Sequence, residues 1–309
     1  MIKNILIGTV SVLLGLIFIF SAYTKLFPIE LFEFSFIEIK VANWTTAPYI
    51  ARLLLAFEFF IGVLLIFNFK GGNRLVPKIT IGLLLVFTIY LLAIIFWQGN
   101  SGNCGCFGTM IKMTPLESII KNILLISLCL VLFVPPPQKN LSSHKTVIWT
   151  SALACFALPF IVNPVSLTPP PNDQAINYDL KLAPLYDQSR KDIPTVDLMQ
   201  GKRIIAFLSL TCPHCKIGAH KLNLIHQQHP NIPIYFILNG EDYDLKPFIE
   251  ESKTTDIEYC FMSLKEGFID NAGLNLPAIL WVKNGKVVNR TRYTELNADD
   301  LVKWYEQED

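Results

Sequence analysis

Two pairs of cysteines are spaced for chemistry. Cys212 and Cys215 enclose Pro213 and His214 in TCPHC (211–215), and Cys104 and Cys106 flank one glycine in SGNCGCFGTM (101–110). A close pair of thiols can cycle to a disulfide, or it can offer two soft ligands to a metal. Zinc at 212–215 would need two more ligands, and His220, His226 and His229 are read as lying on the exposed faces of a helix and at its end. No metal is therefore expected there, whereas a soft copper(I) site stays open beside the redox reading for Cys104 and Cys106. Cys129, Cys155 and Cys260 stand apart and read as buried packing residues.

The elements around each pair matter more than the pairs alone. RIIAFLSL (203–210) reads as a buried strand that runs straight into Cys212, and Ile217, Leu222, Leu224 and Ile225 continue with a helical pattern. Cys212 is thus expected at a helix N-terminus, where unsatisfied N–H groups and the helix dipole favour a thiolate, with His214 adding a donor or a positive charge. IPIYFIL (232–238) reads as a second strand and YDLKPFIEES as a helix. PAILWV and KVVNR flank the hairpin signal Asn284-Gly285, and Asn297 is placed to cap a last helix. Glycine around Cys104 and Cys106 permits the tight backbone that a Cys-x-Cys disulfide requires, and a ring so short is expected to be strained and labile.

Charge divides the chain. Residues 1–165 carry 16 of the 51 Asp, Glu, Lys and Arg, and the other 144 residues carry 35. The first part is read as membrane protein and the second as water-soluble. The net charge of +1 gives no nucleic-acid footprint. Five stretches approach the roughly 20 apolar residues needed to cross a bilayer: Ile5–Tyr23, Pro48–Phe67, Ile79–Trp97, Ser118–Val134 and Val147–Val165. Lys70, Arg74 and Lys78 after the second, and Lys139 and Lys145 after the fourth, place those loops and the N-terminus in the cytoplasm, against a weaker contrary signal from Lys25 and Lys40. Two crossings separate the cysteine pairs, so both fall on one face in either orientation. VSLTPPPNDQ (165–174) reads as a semi-rigid linker. Glu58, half-way along the second stretch, is either a proton-handling group or the interhelical partner of Arg52 or Lys25. Glu117 and Lys121 read as an i, i+4 pair anchoring the fourth stretch at the membrane boundary.

Residues 178–307 resemble the thioredoxin superfamily through Cys212-Pro213-His214-Cys215, whose Pro-His pair is similar to that of DsbA-type oxidants, and through Pro277 in NLPAIL, where the superfamily places a cis-proline. That resemblance implies Cys212 as nucleophile and Cys215 as resolving thiol. SAYTKLF, ARLLLAFEFFIGVLL and CGCFG followed by KNILL resemble the MauE and DoxX family of four-helix membrane proteins over about residues 1–134. The resulting expectation is an α-helical membrane bundle, a four-helix core (1–134) plus a fifth span and linker (135–173), followed by an α/β thioredoxin-like domain (174–309).

What the resemblances imply is a multi-pass protein of the bacterial inner membrane, its thioredoxin-like domain periplasmic. It would pass electrons between extracytoplasmic protein thiols or disulfides, Cys212/Cys215 and Cys104/Cys106, with a membrane quinone as the acceptor. The alternatives are an assembly factor for one cysteine-rich client and an outward-directed reductase. Against the latter, no cysteine pair is evident within the membrane or on its cytoplasmic side.

Overall fold

A computed structural model describes residues 2–68, 73–100, 104–108, 110–134, 145–165, 177–190, 192–254 and 256–307. Lys70, Lys139 and nearly all of the proline-rich linker lie outside these. The chain divides into two units, Met1–Val165 and Ser166–Asp309.

The first unit is helical: α1 Ile2–Leu26, α2 Glu30–Glu38, α3 Ala47–Phe67, α4 Leu75–Gln98, α5 Pro115–Val131 and α6 Lys145–Val162. Three of these are long and apolar enough to cross a membrane, over Ile5–Leu26, Ala47–Phe67 and Leu75–Trp97. They correspond to the first three stretches expected. The fourth and fifth fold as shorter helices of 17 and 18 residues. On α4 the exposed side chains Leu85, Val86, Ile89, Leu92 and Phe96 recur at helical spacing, an apolar stripe suited to lipid.

Between apolar helices in lipid, association depends on close packing and interhelical hydrogen bonds. The α1–α3 crossing has both. A Cβ at Gly15 would lie 2.6 Å from the Gly62 carbonyl oxygen, so the two backbones touch there, and Ser11 Oγ donates to the Leu65 carbonyl at 2.7 Å. Leu14, Phe18, Ile61, Leu65 and Leu125 fill the surrounding core together with Cys129, which is fully buried. Asn122 ties α5 to α4 by donating to Thr88 Oγ1 at 3.1 Å. Helix α2 was not foreseen from the sequence: ELFEFSFIE is short and rich in aromatics, and it is helical because Phe34, Phe36 and Ile37 are buried when it packs on α3.

The second unit is a six-stranded sheet in the order β1-β6-β5-β2-β3-β4, formed by Tyr178–Asp179, Lys202–Ser209, Ile234–Asn239, Glu258–Phe261, Ala278–Lys283 and Lys286–Thr291 in chain order. Strand β2 is central, parallel to β3 and antiparallel to β5. Its residues Ile204–Leu208 are all buried, as expected of a strand covered on both faces. Helix α7 (Pro213–Gln228) follows β2, and α8 (Asp242–Ser252), α9 (Phe268–Ala272) and α10 (Ala298–Glu306) complete the unit. Asn284 and Gly285 both have positive φ and close the β5–β6 hairpin, while Asn297 caps α10 by accepting from the Asp299 N–H at 2.9 Å. Strand β4 adds to the expected order, pairing parallel with β3 and burying Cys260.

Candidate redox sites

Cys212 is the N-cap residue of α7 and Pro213 its first residue, a position where a missing N–H is harmless. The Cys215 and Lys216 N–H groups donate to the Cys212 carbonyl at 3.1 and 3.2 Å, so the helix begins at the motif itself. Cys212 is partly exposed, whereas Cys215 is fully buried one turn in. The Ser209 N–H points at Cys215 Sγ from 3.3 Å. Burial nevertheless pushes the Cys215 thiol well above the ordinary cysteine range. One thiol is partly exposed and the other is buried behind it.

Two features frame this pair. The Leu276–Pro277 bond is cis, and a Cβ on Gly218 would meet Pro277 Cγ at 3.0 Å and Tyr293 Cβ at 3.3 Å. His214 Nδ1 and Tyr293 Oη share a hydrogen bond of 3.0 Å, with the rings stacked 5.8 Å apart. Tyr293 was missed in the sequence because it follows β6, far along the chain, and only the hairpin brings it to α7. His220 departs from expectation: it is buried rather than exposed, on a segment of α7 where Ile217 to Ile225 are buried throughout. Among the described residues no cluster of three or more His, Cys, Asp or Glu could hold a metal.

The second pair sits between α4 and α5. Gly105 and Gly108 both have positive φ, and the Gly108 N–H closes a turn onto the Gly105 carbonyl at 3.0 Å. Gly108 also presses on the end of α1: a Cβ there would lie 2.0 Å from the Thr24 carbonyl oxygen, whereas one on Gly105 meets nothing within 4 Å. Gly105→Ala should therefore lose only the left-handed penalty of about 1–2 kcal/mol. Gly108→Ala should displace the loop, read as faster alkylation of Cys104 in the reduced protein.

Both cysteines are free thiols. Cys104 is buried, within 2.9 Å of Ser118 Oγ, and receives the Cys106 N–H at 3.4 Å. A hydrogen bond from the Cys104 thiol to Cys106, reinforced by burial, raises Cys104. The same bond, together with the Lys121 and Lys25 charges, draws Cys106 toward the thiolate against its burial.

Behind the pair is a cavity of about 30 Å³, enough for a water or two, bordered by Lys25, Glu58, Tyr90, Cys104, Cys106 and Lys121. Glu58 takes the interhelical role: Lys25 Nζ reaches its two oxygens at 2.7 and 2.9 Å, both residues being buried. Arg52 turns instead to Glu33 at 2.5 Å. Lys25 also donates to Ser21 Oγ, which donates to the Cys106 carbonyl, each at 3.1 Å. The ion pair is thereby wired to the backbone of the cysteine loop. Lys121 is not the boundary anchor its spacing suggested. Glu117 closes a capping box with Thr114 at the start of α5, and Lys121 Nζ lies 4.5 Å from the Phe107 ring centroid, on the cavity side.

A helical region with three membrane-length apolar helices, followed by an α/β unit with paired cysteines at the start of the helix after its central strand, defines a membrane-attached thioredoxin-like protein. Residues 3–135 match the family described as methylamine utilisation protein MauE, to which the N-terminal region is similar. Protein TlpB of Flavobacterium psychrophilum is 29% identical over 327 residues, covering 90% of this chain and 88% of that protein. Among solved structures, the thioredoxin domain of a thiol-disulfide oxidoreductase from Bacteroides vulgatus is 18% identical with a TM-score of 0.31, covering 35% of this chain and 81% of that one. A thiol:disulfide interchange protein from Bacteroides sp. is 19% identical, also at 0.31, covering 35% and 76%.

Proposed function

We propose that the chain is a membrane-bound thiol-disulfide oxidoreductase in which the two cysteine pairs exchange disulfides. The observation that carries this reading is the asymmetry within Cys212/Cys215: a partly exposed sulfur at a helix N-terminus and a buried, protonated one behind it. A client thiolate attacks Cys212 of the Cys212–Cys215 disulfide and Cys215 leaves. A second client thiol then releases Cys212, so two client thiols become a disulfide and the pair holds two electrons and two protons. Cys212 next attacks the Cys104–Cys106 disulfide, and Cys215 resolves the mixed disulfide. The reduced Cys104/Cys106 pair then gives up two electrons and two protons, for which a membrane quinone would be the acceptor.

Topology supports the pairing of the two sites. With α5 and α6 as fourth and fifth crossings, the loop at 104–108 and the thioredoxin-like unit share one side of the membrane. That side is the periplasmic one if Arg74 and Lys78 stay in the cytoplasm.

A Cys215→Ser chain in native membranes tests the reading. Acid quenching, alkylation and peptide mapping should recover Cys212 joined to Cys104 or Cys106, because the resolving thiol is gone. Recovery of Cys212 joined only to other proteins would overturn the relay and favour an assembly factor for a cysteine-rich client.

A further inference from the structure

The reading above leaves the half-buried Lys121 without a role. Five charged or titratable groups border the cavity beside Cys106: Lys25 from α1, Glu58 from α3, Tyr90 from α4, Lys121 from α5, and Cys104 from the same loop. Helix α2 contributes Phe32, whose ring lies under Lys25 at 5.5 Å. Lys25 is neutralised by Glu58 at 2.7 Å. Among the described residues no carboxylate forms an ion pair with Lys121: Glu117 is engaged at the α5 N-cap, and Glu58, which acts on it from across the cavity, is held by Lys25. A half-buried ammonium bordering the cavity favours an anion beside it. The anion available is Cys106, while Cys104 lies deeper, against Ser118.

We propose that Lys121 is the counterion and proton store of the Cys104/Cys106 pair, so that reduction yields a Cys106 thiolate facing a Lys121 ammonium rather than two neutral thiols. The step rests on the exchange proposed above and balances with it. The Cys212/Cys215 dithiol gives up two electrons and two protons and becomes a disulfide. The Cys104–Cys106 bond breaks, Cys104 takes one proton, Cys106 keeps its electron pair, and Lys121, neutral beside the disulfide, takes the other proton. Reoxidation by the acceptor returns the Lys121 proton together with that of Cys104. The cavity has room for a water between the groups, and the Tyr90 hydroxyl, buried without a hydrogen-bond partner among the described residues, borders it. Cys106 is thereby the sulfur that stays ionised, and Cys104 the one that stays protonated.

The test uses the full chain in lipid nanodiscs, reduced and then alkylated with iodoacetamide from about pH 5 to about pH 10, with Cys104 and Cys106 followed as separate peptides. Cys106 should titrate below the ordinary thiol midpoint of about 8.5, and Cys104 above it. Lys121→Met should move the Cys106 midpoint up by about one unit or more, a roughly tenfold slower reaction at neutral pH, while Lys121→Arg should keep it low. A purely structural role for Lys121 would not move this midpoint selectively. If Cys104 titrates first, or Cys106 has an ordinary midpoint in the unsubstituted chain, the proposal is overturned whether or not the variants fold. It is also overturned if Lys121→Met folds and leaves the midpoint in place. Failure of the relay itself appears differently, as absence of the Cys212 cross-link in the Cys215→Ser chain, with the Cys106 midpoint still governed by Lys121.

Discussion

A Cys212→Ser chain should lose thiol oxidation of a reduced client by on the order of a thousandfold or more, because the attacked and attacking sulfur is the same atom in both half-reactions. The replacement should hardly disturb the fold. Cys212 is an N-cap residue, and serine is a preferred N-cap that can accept a hydrogen bond from the first turn of α7 where the thiol makes none. Stability of the thioredoxin-like unit should therefore be unchanged or slightly raised while exchange vanishes, a separation that thermal unfolding and a client-oxidation assay on one preparation would reveal. Persistence of oxidation near the original rate would remove Cys212 from the mechanism. His214→Ala should behave differently: it breaks the contact with Tyr293 but leaves both sulfurs, so exchange should slow without stopping.

Glu58→Leu carries the largest expected effect on the membrane region. Lys25 is 4% exposed and has Glu58 as its ionic partner. Removing the carboxylate leaves a buried charge whose contacts among the described residues are Ser21 and the Phe32 and Phe87 rings, with the Cys106 sulfur near enough to feel it. In folded proteins such a break typically destabilises by about 3–5 kcal/mol. The paired change Lys25→Met with Glu58→Leu removes the charge as well and should recover most of that loss. A double-mutant cycle on thermal unfolding in detergent, with alkylation of the fully buried Cys129 reporting core opening, measures the coupling. Additive single and double variants would mean that the ion pair contributes nothing to stability. The doubly neutral chain also separates two roles: recovered stability with slowed disulfide exchange would assign the pair to the electrostatics of Cys106, to which it is connected through Ser21.

The elements that the sequence made legible are those governed by local rules. Membrane-length apolar runs, the strand entering Cys212, the Asn284-Gly285 turn and the Asn297 cap each depend on neighbours within a few residues, so composition and spacing suffice to find them. Helix α2 and strand β4 escaped the reading because their stability comes from what they pack against. α2 packs on α3 and buries Phe34, Phe36 and Ile37 within the helical unit, Phe36 against Tyr90 of α4, and β4 is a four-residue addition beside β3. Chain order alone does not disclose either partner.

At the sites the division is the same. By itself the sequence determined the two thiol pairs, the helix start at Cys212, the proline in NLPAIL and the glycines that let the Cys104–Gly108 loop turn, since each is a property of residue type and spacing. Only the tertiary structure decided which carboxylate meets which cation. Glu58 had two candidate partners and took Lys25, because Arg52 is drawn to Glu33. Lys121 had an apparent partner four residues away, but that carboxylate caps its own helix and the lysine lies over the Phe107 ring on the cavity side. Tyr293 reaches His214 across 79 positions of sequence. Charge pairing inside a bundle is settled by packing and desolvation together, and those depend on residues from every helix at once.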